Sequence, residues 1–252
     1  IIIEMIPKLI HHTWITQSIP GKWKRSVDSC KTVYHDHNYI LWTNDDMDKF
    51  VRTHFAWFYP TWIEYPYMIQ RCDSFRYMVL YTYGGIYMDL DIGCKKQPKE
   101  LLKKYDLLLA KSVNFGNTKT NAFIASVPKN MFMLYCIQNL KDYKNHYNRF
   151  GKHLHVMTST GPLFLTSMLH SYPNGHNVYI LSDKEYVNDC MVCNSKCKGG
   201  EYFFEVEGNS WHGHDSTLYN KIRCLFHFDR YSAICAIILI AMSVCLFIYT
   251  RT

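Results

Sequence analysis

The stretch between residues 68 and 94 constrains the fold more than any other, because its periodicity changes from helical to strand-like within a few residues. Apolar residues at helical spacing predict one buried stripe, comprising Met68, Cys72, Phe75 and Val79. Gly84 and Gly85 then end the predicted helix, and residues 86–88 form a short, apolar, β-branched and aromatic strand. This order predicts a helix that feeds directly into a buried strand of an α/β domain.

Two acidic residues follow the predicted strand with one residue between them. Alternation along a strand would send Asp89 and Asp91 to one side of the sheet and Leu90 to the other. Two such carboxylates repel each other unless a cation lies between them, and a hard divalent ion with open positions for phosphate oxygens suits oxygen ligands. The same pattern is also common at strand ends and turns that bind no metal, so the pattern alone does not identify a metal site.

An Asp and an Arg on the preceding helix make the acidic pair more specific. Asp73 and Arg76 lie three residues apart, and their helix leads through the two glycines into the pair. Together, RCDSFRY and YGGIYMDLD resemble the core of glycosyltransferases that use a nucleotide sugar and carry a DXD-containing sugar-binding region. That group includes yeast initiating mannosyltransferases, inositol phosphoceramide mannosyltransferases and the large clostridial glucosylating toxins. The resemblance implies an α/β fold of the GT-A, Rossmann-like type.

Further motifs extend the resemblance over most of residues 6–215: IPKLIHHTW, YILWT, NAFIAS, STGPLFLT and SWHGHD. With the apolar carboxyl-terminal run, this combination is most similar to the inositol phosphoceramide mannosyltransferases. The resemblance implies GDP-mannose as donor, inositol phosphorylceramide as a lipid acceptor, and a regulatory subunit as a partner.

The order of elements agrees with a doubly wound α/β domain. We predict helices at 23–34, 47–54, 132–147 and 163–169, and strands at 39–42, 107–112, 121–126 and 202–206. Thr43 or Asn44 would cap the second helix, with Asp45 and Asp46 in its first turn as dipole partners. Residues 55–67 are predicted to form a loop and the start of the central helix.

Several polar residues at predicted element ends are candidates for the donor site. His12, Thr13 and Trp14 end the first strand, where the ligand crevice of such a sheet opens. His12 stands where the resembled family commonly has Gln. Asn121 begins a strand, and Gly161 precedes a helix whose free backbone N–H groups suit an anion. Each of these also fits an ordinary structural role at a strand rim or turn.

The resemblance assigns roles to the remaining candidates. Asp91 would bind Mn²⁺ or Mg²⁺, with Asp89 on ribose or metal-bound water. Asp73 would bind the sugar hydroxyls and Arg76 the diphosphate or the sugar end of the donor, and Tyr87 would lie against the donor. In the closing SWH loop, Ser210 and Trp211 would approach the diphosphate and His212 would be a third metal ligand, with His214 and Asp215 as second choices. The implied reaction is retaining hexosyl transfer, with Asp89, Asp91 and Arg76 as the catalytic residues.

Composition limits the function class. A chain of 252 residues with 48% apolar residues supports one sizeable domain. Its net charge of +7 is spread without Lys/Arg blocks, which argues against a nucleic-acid partner and favours phosphate-bearing substrates and anionic lipid surfaces.

Residues 231–250 contain no charged side chain over about 20 positions, the length of a transmembrane helix. We therefore predict a catalytic domain at 1–222, a basic juxtamembrane linker at 223–230 and a membrane span at 231–250. The basic residues before the span would leave the domain in the cytosol by the positive-inside rule. The family resemblance implies a Golgi lumenal domain instead, and we expect this lumenal orientation.

Ten cysteines are spread along the chain, with a cluster at Cys190, Cys193 and Cys197. In a lumenal protein these three would form local disulfides, whereas in the cytosol the same spacing could hold zinc. Two alternatives to the lipid mannosyltransferase also stay open. One is an enzyme of the same fold acting on a glycan or protein, and the other is an inactive, membrane-anchored sugar- or lipid-binding protein.

Overall fold

The computed structural model describes residues 5–112, 118–173, 175, 177–187, 199–206, 208, 210, 211 and 213–219. The predicted linker 223–230, the predicted membrane span 231–250, the cysteine cluster at 190–197 and His212 lie outside these residues. Among the helices within them, none is both long and apolar enough to cross a bilayer.

The amino-terminal part alternates strands and helices as predicted. Its elements are β1 (Leu9–Thr13), α1 (Gly21–Val33), β2 (Asn38–Trp42), α2 (Asn44–His54) and α3 (Tyr59–Glu64). Thr43 caps α2, because its hydroxyl accepts the Asp46 N–H while the Asp46 carboxylate accepts the Thr43 N–H. The short helix α3 forms where the sequence predicts a loop, since Pro60 lies in its first turn, where its missing N–H has no helical partner, and Pro66 follows its end.

The central unit follows the sequence prediction closely. Helix α4 (Met68–Tyr83) ends at Gly84, and β3 (Gly85–Met88) begins at once. Gly84 has a φ of 64°, and a Cβ there would lie 2.7 Å from the Pro128 nitrogen. Both the left-handed backbone and the close approach require glycine at the break between helix and strand.

The remaining elements complete a mixed sheet. They are β4 (Ile92–Cys94), α5 (Lys99–Lys104), β5 (Leu107–Lys111), β6 (Lys119–Ser126), α6 (Met131–Tyr143), α7 (Lys152–Ser159), α8 (Pro162–Ser171), β7 (Val178–Leu181) and β8 (Phe203–Glu205). Six strands pair in the order β2-β1-β3-β6-β5-β7, and β6 runs antiparallel to both of its neighbours. Strands β4 and β8 form a separate antiparallel pair.

Two apolar clusters cover the faces of this sheet. One joins α2, α4, α6 and α8, and the other joins α1 with the opposite face of the strands and with Phe203 of β8. Helix α6 ends at Tyr143, earlier than the predicted 147, and Tyr147 then takes a left-handed conformation with a φ of 52°. Helix α7 has no counterpart in the sequence prediction, and its amino-terminal end lies against the segment 211–219.

Candidate active site

Asp89, Leu90 and Asp91 lie in a turn between β3 and β4 and not in an extended strand. The Ile92 N–H donates to the Asp89 carbonyl at 3.1 Å, which closes the turn. Strand alternation therefore does not apply, and Leu90 lines the same cavity as both carboxylates. The predicted separation of Leu90 from the acidic pair is wrong for this reason.

Helix α1 holds this turn through three contacts that the sequence did not reveal. The Ser26 hydroxyl donates to the Leu90 carbonyl at 2.5 Å. The Ser29 hydroxyl accepts the Cys94 N–H at 3.0 Å. Cys30 and Cys94 form a disulfide, with their Cα atoms 4.6 Å apart. Because all three partners are on one helix, α1 fixes both the acidic turn and the strand β4 that follows it.

Arg76 of α4 connects the two sets of acidic residues predicted from the sequence. Its Nη2 lies 2.8 Å from Asp73 Oδ1, and its Nη1 lies 3.4 Å from Asp89 Oδ1. Its guanidinium also covers the Tyr87 ring, with Cζ 4.5 Å from the ring centroid. Burial alone would lower the pKa of Arg76, but Asp89, Tyr87 and Asp73 more than offset it and raise the pKa. Arg76 is thus a permanent cation at the floor of the site.

Asp73 lies behind Arg76, where it is 3% exposed. Its carboxylate accepts hydrogen bonds from Asn121 Nδ2 at 2.9 Å and from Thr160 Oγ1 at 3.1 Å. Burial raises the pKa of Asp73 to about 6, against the opposing effect of Arg76. A Cβ on Gly161 would lie 3.4 Å from Asp73 Oδ2, so the TGP loop closes this pocket from the other side.

A cavity of about 250 Å³ opens above Arg76. Of the residues predicted from the sequence, seven line it: Thr13, Trp14, Arg76, Asp89, Asp91, Ser210 and Trp211. Others lie behind the lining and contact it: Tyr87 donates to Asp89 Oδ1 at 3.0 Å, and Asn121, Asp73 and Gly161 form the second layer described above. The cavity therefore brings together candidates that are up to two hundred residues apart in the chain.

His12 lies away from this cavity, although the sequence predicted it at the crevice. It is 3% exposed, and its Nδ1 lies 2.7 Å from the Met88 carbonyl on the neighbouring strand. Among the described residues its Nε2 has no hydrogen-bond partner. Burial lowers the pKa of His12 to about 4, which keeps the ring neutral. Its donor-binding role is a prediction that this placement does not support.

Sequence reasoning missed several residues of the site. Trp23, Asn44, Ile69 and Cys72 line the cavity, together with Ile15 and Met68. Trp14 and Trp23 meet edge to face with ring centroids 4.7 Å apart. The helical spacing of Met68 and Cys72 had indicated a core stripe, whereas the end of α4 that carries them borders the cavity.

Asp91 shows that the site has an excess of negative charge. Burial, Asp89 and Glu205 all raise its pKa well above the ordinary value. Gly208 lies directly against it, because a Cβ at that position would come 1.9 Å from Asp91 Oδ2. Within the described part of the chain, no three His, Cys, Asp or Glu side chains cluster closely enough to hold a metal. Two carboxylates beside an open cavity nevertheless suit Mg²⁺ or Mn²⁺, which keep positions open for water and phosphate.

The far wall of the cavity comes from the carboxyl-terminal part of the described chain. Lys152 donates to the Trp211 carbonyl at 2.7 Å, and the His153 ring stacks on the Trp211 ring at 5.3 Å. Ser210 and Trp211 thus reach the cavity as predicted for the SWH loop. The proposed third ligand, His212, is outside the described residues.

Comparison with known proteins agrees with this geometry. Residues 20–108 match the glycosyltransferase sugar-binding region containing a DXD motif. The chain is 36% identical to inositol phosphoceramide mannosyltransferase 1 of Schizosaccharomyces pombe over 86% of this chain and 65% of that protein. It is 35% identical to mannosyl phosphorylinositol ceramide synthase CSH1 of Saccharomyces cerevisiae over 87% of this chain and 57% of that protein.

The chain thus spans about three fifths of the length of these relatives. Among solved structures, the ligand-free glycosyltransferase domain of the YGT toxin superposes with a TM-score of 0.55 at 9% identity, covering 70% of this chain and 80% of that one. At such low identity the superposition shows a shared α/β fold.

Proposed function

We propose that this chain, a member of the glycosyltransferases with a DXD-containing sugar-binding region, is a metal-dependent retaining hexosyltransferase with a membrane lipid as acceptor. One observation carries the proposal. Arg76 lies between Asp73 and Asp89 at the floor of a cavity that Asp91 also lines. A fixed cation and a cation-binding carboxylate pair beside one cavity suit a nucleoside diphosphate leaving group.

The residues of the site would divide the work. Asp91 and Asp89 would hold Mn²⁺ or Mg²⁺, which when bound offsets the charge of the departing diphosphate. Arg76, kept protonated by its carboxylate neighbours, would bind a diphosphate or sugar oxygen from below. Trp14 and Trp23 place two perpendicular indole rings at the cavity wall, where either could stack on a nucleobase.

Asp73 would act from behind Arg76. It is buried, and Asn121, Thr160 and Arg76 all hold its carboxylate. Asp73 does not line the cavity. We therefore propose that its main role is to orient Arg76 and that contact with the sugar is a secondary role. No further carboxylate of the described chain lines the cavity beyond Asp89 and Asp91, so we propose front-side attack by the acceptor hydroxyl without a covalent intermediate.

The identity of the sugar and of the acceptor rests on the relatives. Inositol phosphoceramide mannosyltransferase 1 and mannosyl phosphorylinositol ceramide synthase CSH1 are named for mannose transfer to an inositol-containing sphingolipid. We propose the same substrate pair here, with GDP-mannose as donor and inositol phosphorylceramide as acceptor. The positive net charge of +7 is consistent with two anionic substrates.

We place the catalytic domain in an oxidising compartment of the secretory pathway, in keeping with a Golgi lumenal enzyme. The Cys30–Cys94 disulfide supports this placement, because such bonds persist in oxidising compartments and are rare in the cytosol. The uncharged run at 231–250 would hold the enzyme at the membrane.

Donor hydrolysis by the full chain in detergent tests the proposal. GDP-mannose and a panel of UDP-sugars would be incubated with Mn²⁺, with Mg²⁺ or with a chelator. We expect metal-dependent release of GDP from GDP-mannose, and a loss of at least about 100-fold in Asp91→Asn. Asp28→Asn, which alters an exposed carboxylate on α1, is the matched control.

Two outcomes would contradict the proposal. Turnover of Asp91→Asn equal to that of the wild type, or indifference to metal, would refute the mechanism. If the protein binds a nucleotide sugar but turns none over, the binding-protein alternative is supported. If a donor is turned over, transfer assays with inositol phosphorylceramide, a soluble glycan and a peptide decide the acceptor class.

A further inference from the structure

Residues 210, 211 and 213–219 form a strap that begins at the cavity and crosses the amino-terminal end of α7. Several contacts hold it there. The His153 N–H donates to Asp215 Oδ2 at 2.6 Å, and His153 Nδ1 lies 3.0 Å from the Ser216 hydroxyl. The rings of His153 and Tyr219 are 5.4 Å apart. The strap is therefore fixed to α7 along its length, and its position relative to the cavity is set.

Large apolar side chains lie exposed on the strap and on the segment that precedes α7. Leu218 and Tyr219 are 60% and 41% exposed, and Phe150 and Tyr147 are 70% and 48% exposed. We call these four residues the aromatic patch. Its two halves meet where a Cβ on Gly151, next to Phe150, would come 3.2 Å from Asp215 Oδ2. Four large exposed side chains on two segments that contact each other indicate an interaction surface.

Cations border the aromatic patch. The segment 141–152 carries Lys141, Lys144, Arg149 and Lys152 against Asp142 as its one acidic residue. Lys144 pairs with Glu64, and Lys152 turns inward to the Trp211 carbonyl. Arg149 is exposed next to Phe150 in the chain, and Lys141 is exposed at the end of α6 that leads to Tyr147. Aromatic rings interleaved with exposed basic side chains suit a binding partner whose interior is apolar and whose surface is anionic.

We propose that the aromatic patch docks on an anionic lipid bilayer and sets the cavity mouth at the membrane surface. The course of the chain supports this occupant over a second protein. From Tyr219 the sequence continues through residues 220–230 into the uncharged run 231–250, and a linker of that length spans at most roughly 40 Å. The face from which the strap leads away is therefore held near whatever membrane receives the run.

The proposal rests on the proposed function in taking the bilayer as the source of the acceptor, whose phosphodiester would also supply the negative charge of a lumenal leaflet. Trp211 lines the cavity and belongs to the same strap as Leu218 and Tyr219. Docking through the patch would therefore keep a membrane-embedded acceptor headgroup close to the cavity without removing the lipid from the bilayer. The docking itself depends on neither the sugar nor the metal.

Hydroxyl-radical footprinting of the full chain in nanodiscs tests this docking without substrate. Oxidation rates of Phe150 and Leu218 would be measured relative to Trp57, an exposed aromatic residue near α3 that serves as an internal reference. Discs of phosphatidylcholine alone would be compared with discs containing an anionic phospholipid. We expect the relative oxidation of both patch residues to fall at least about fivefold in anionic discs, as expected for electrostatic attraction of basic residues.

Charge reversal provides the matched comparison. The double variant Lys141→Glu/Arg149→Glu should restore oxidation of the patch in anionic discs, while Lys24→Glu/Lys99→Glu, which changes two exposed lysines elsewhere, should leave it protected. Patch residues oxidised equally in both disc types would overturn the proposal. Protection of the patch residues that persists after charge reversal, or that grows with protein concentration, would overturn the proposal in favour of a protein partner. Because turnover is not measured, failure here leaves the proposed reaction untouched.

Discussion

Arg76 Nη2 lies 2.8 Å from Asp73 Oδ1, and both side chains are almost completely buried beneath the cavity. The pair comes from adjacent turns of α4, so the helix itself sets the distance between the two groups. The same guanidinium donates through Nη1 to the Asn121 carbonyl. Asp73 therefore orients Arg76, and Arg76 presents one fixed cation to Asp89 and to the cavity above it.

Replacing Arg76 by Lys should impair activity more than charge conservation suggests. A single ammonium group cannot contact Asp73, Asp89 and the Asn121 carbonyl at once, whereas the guanidinium does. We expect kcat/KM for donor hydrolysis to fall by about 100-fold, since one or two charge-assisted hydrogen bonds are worth about 1.5–3 kcal/mol each. Arg52→Lys, at an exposed pair with Asp48, is the control and should change little. Equal loss in both variants would argue against a special role for Arg76.

Replacing Gly208 by Ala should weaken metal-dependent activity. The new Cβ would lie 1.9 Å from Asp91 Oδ2, so the carboxylate would have to leave its position. We expect the Mn²⁺ concentration for half-maximal donor hydrolysis to rise about tenfold or more, at a cost comparable to one lost charge-assisted hydrogen bond. Gly21→Ala meets nothing within 4 Å and is the matched control. An unchanged metal requirement in Gly208→Ala would remove Asp91 from the metal site.

The buried histidines should make the protein sensitive to acid. Burial lowers the pKa of both His11 and His12 from 6.5 to about 4. As the pH falls, these histidines therefore bind protons in the unfolded chain before they do so in the folded protein. The stabilisation from each neutral ring is complete above pH 6.5 and is lost as the pH falls towards 4. The free energy of unfolding should fall by up to about 1.4 kcal/mol per pH unit for each histidine.

Chemical denaturation across this pH range measures that slope. His12→Gln should remove the contribution of one proton, and its amide can still donate to the Met88 carbonyl that His12 Nδ1 contacts. His35→Gln, which changes an exposed ring, is the matched control. The same slope in all three proteins would show that His12 does not titrate as its burial implies.

Removing the disulfide between Cys30 and Cys94 should destabilise the fold. The two residues are separated by 64 positions, so the cross-link restricts a long loop in the unfolded chain. We expect Cys30→Ala/Cys94→Ala to lower the free energy of unfolding by about 2–4 kcal/mol. Reductant should shift the denaturation midpoint of the wild type by a similar amount.

Two controls separate this bond from other thiols. Cys136→Ala removes a buried free thiol of α6 and should retain the response to reductant. Peptide mapping without reduction should recover the fragment that joins α1 to β4. If no such fragment is found and reductant has no effect, the cross-link and the compartment argument built on it both fail.

Local pattern was enough to predict the central unit. The helical spacing from Met68, the Gly84–Gly85 break and the apolar residues of β3 correspond to the observed α4 and β3, because each depends on neighbours within a few residues. The Thr43 cap was predictable for the same reason. Helix α7 was not, since residues 152–159 contain few apolar residues at helical spacing and are buried by contacts with distant segments.

The acidic turn at Asp89–Asp91 depends both on local sequence and on tertiary contacts. The order of residues by itself determined that a helix bearing Asp73 and Arg76 leads into two carboxylates, since bond geometry and periodicity operate over short distances. Only the tertiary structure decided that Leu90 shares the cavity, that Ser26 and Cys30 of α1 hold the turn, and that Gly208 presses on Asp91. These contacts join residues more than sixty positions apart, and no local pattern encodes a distance set by how a helix packs on a sheet.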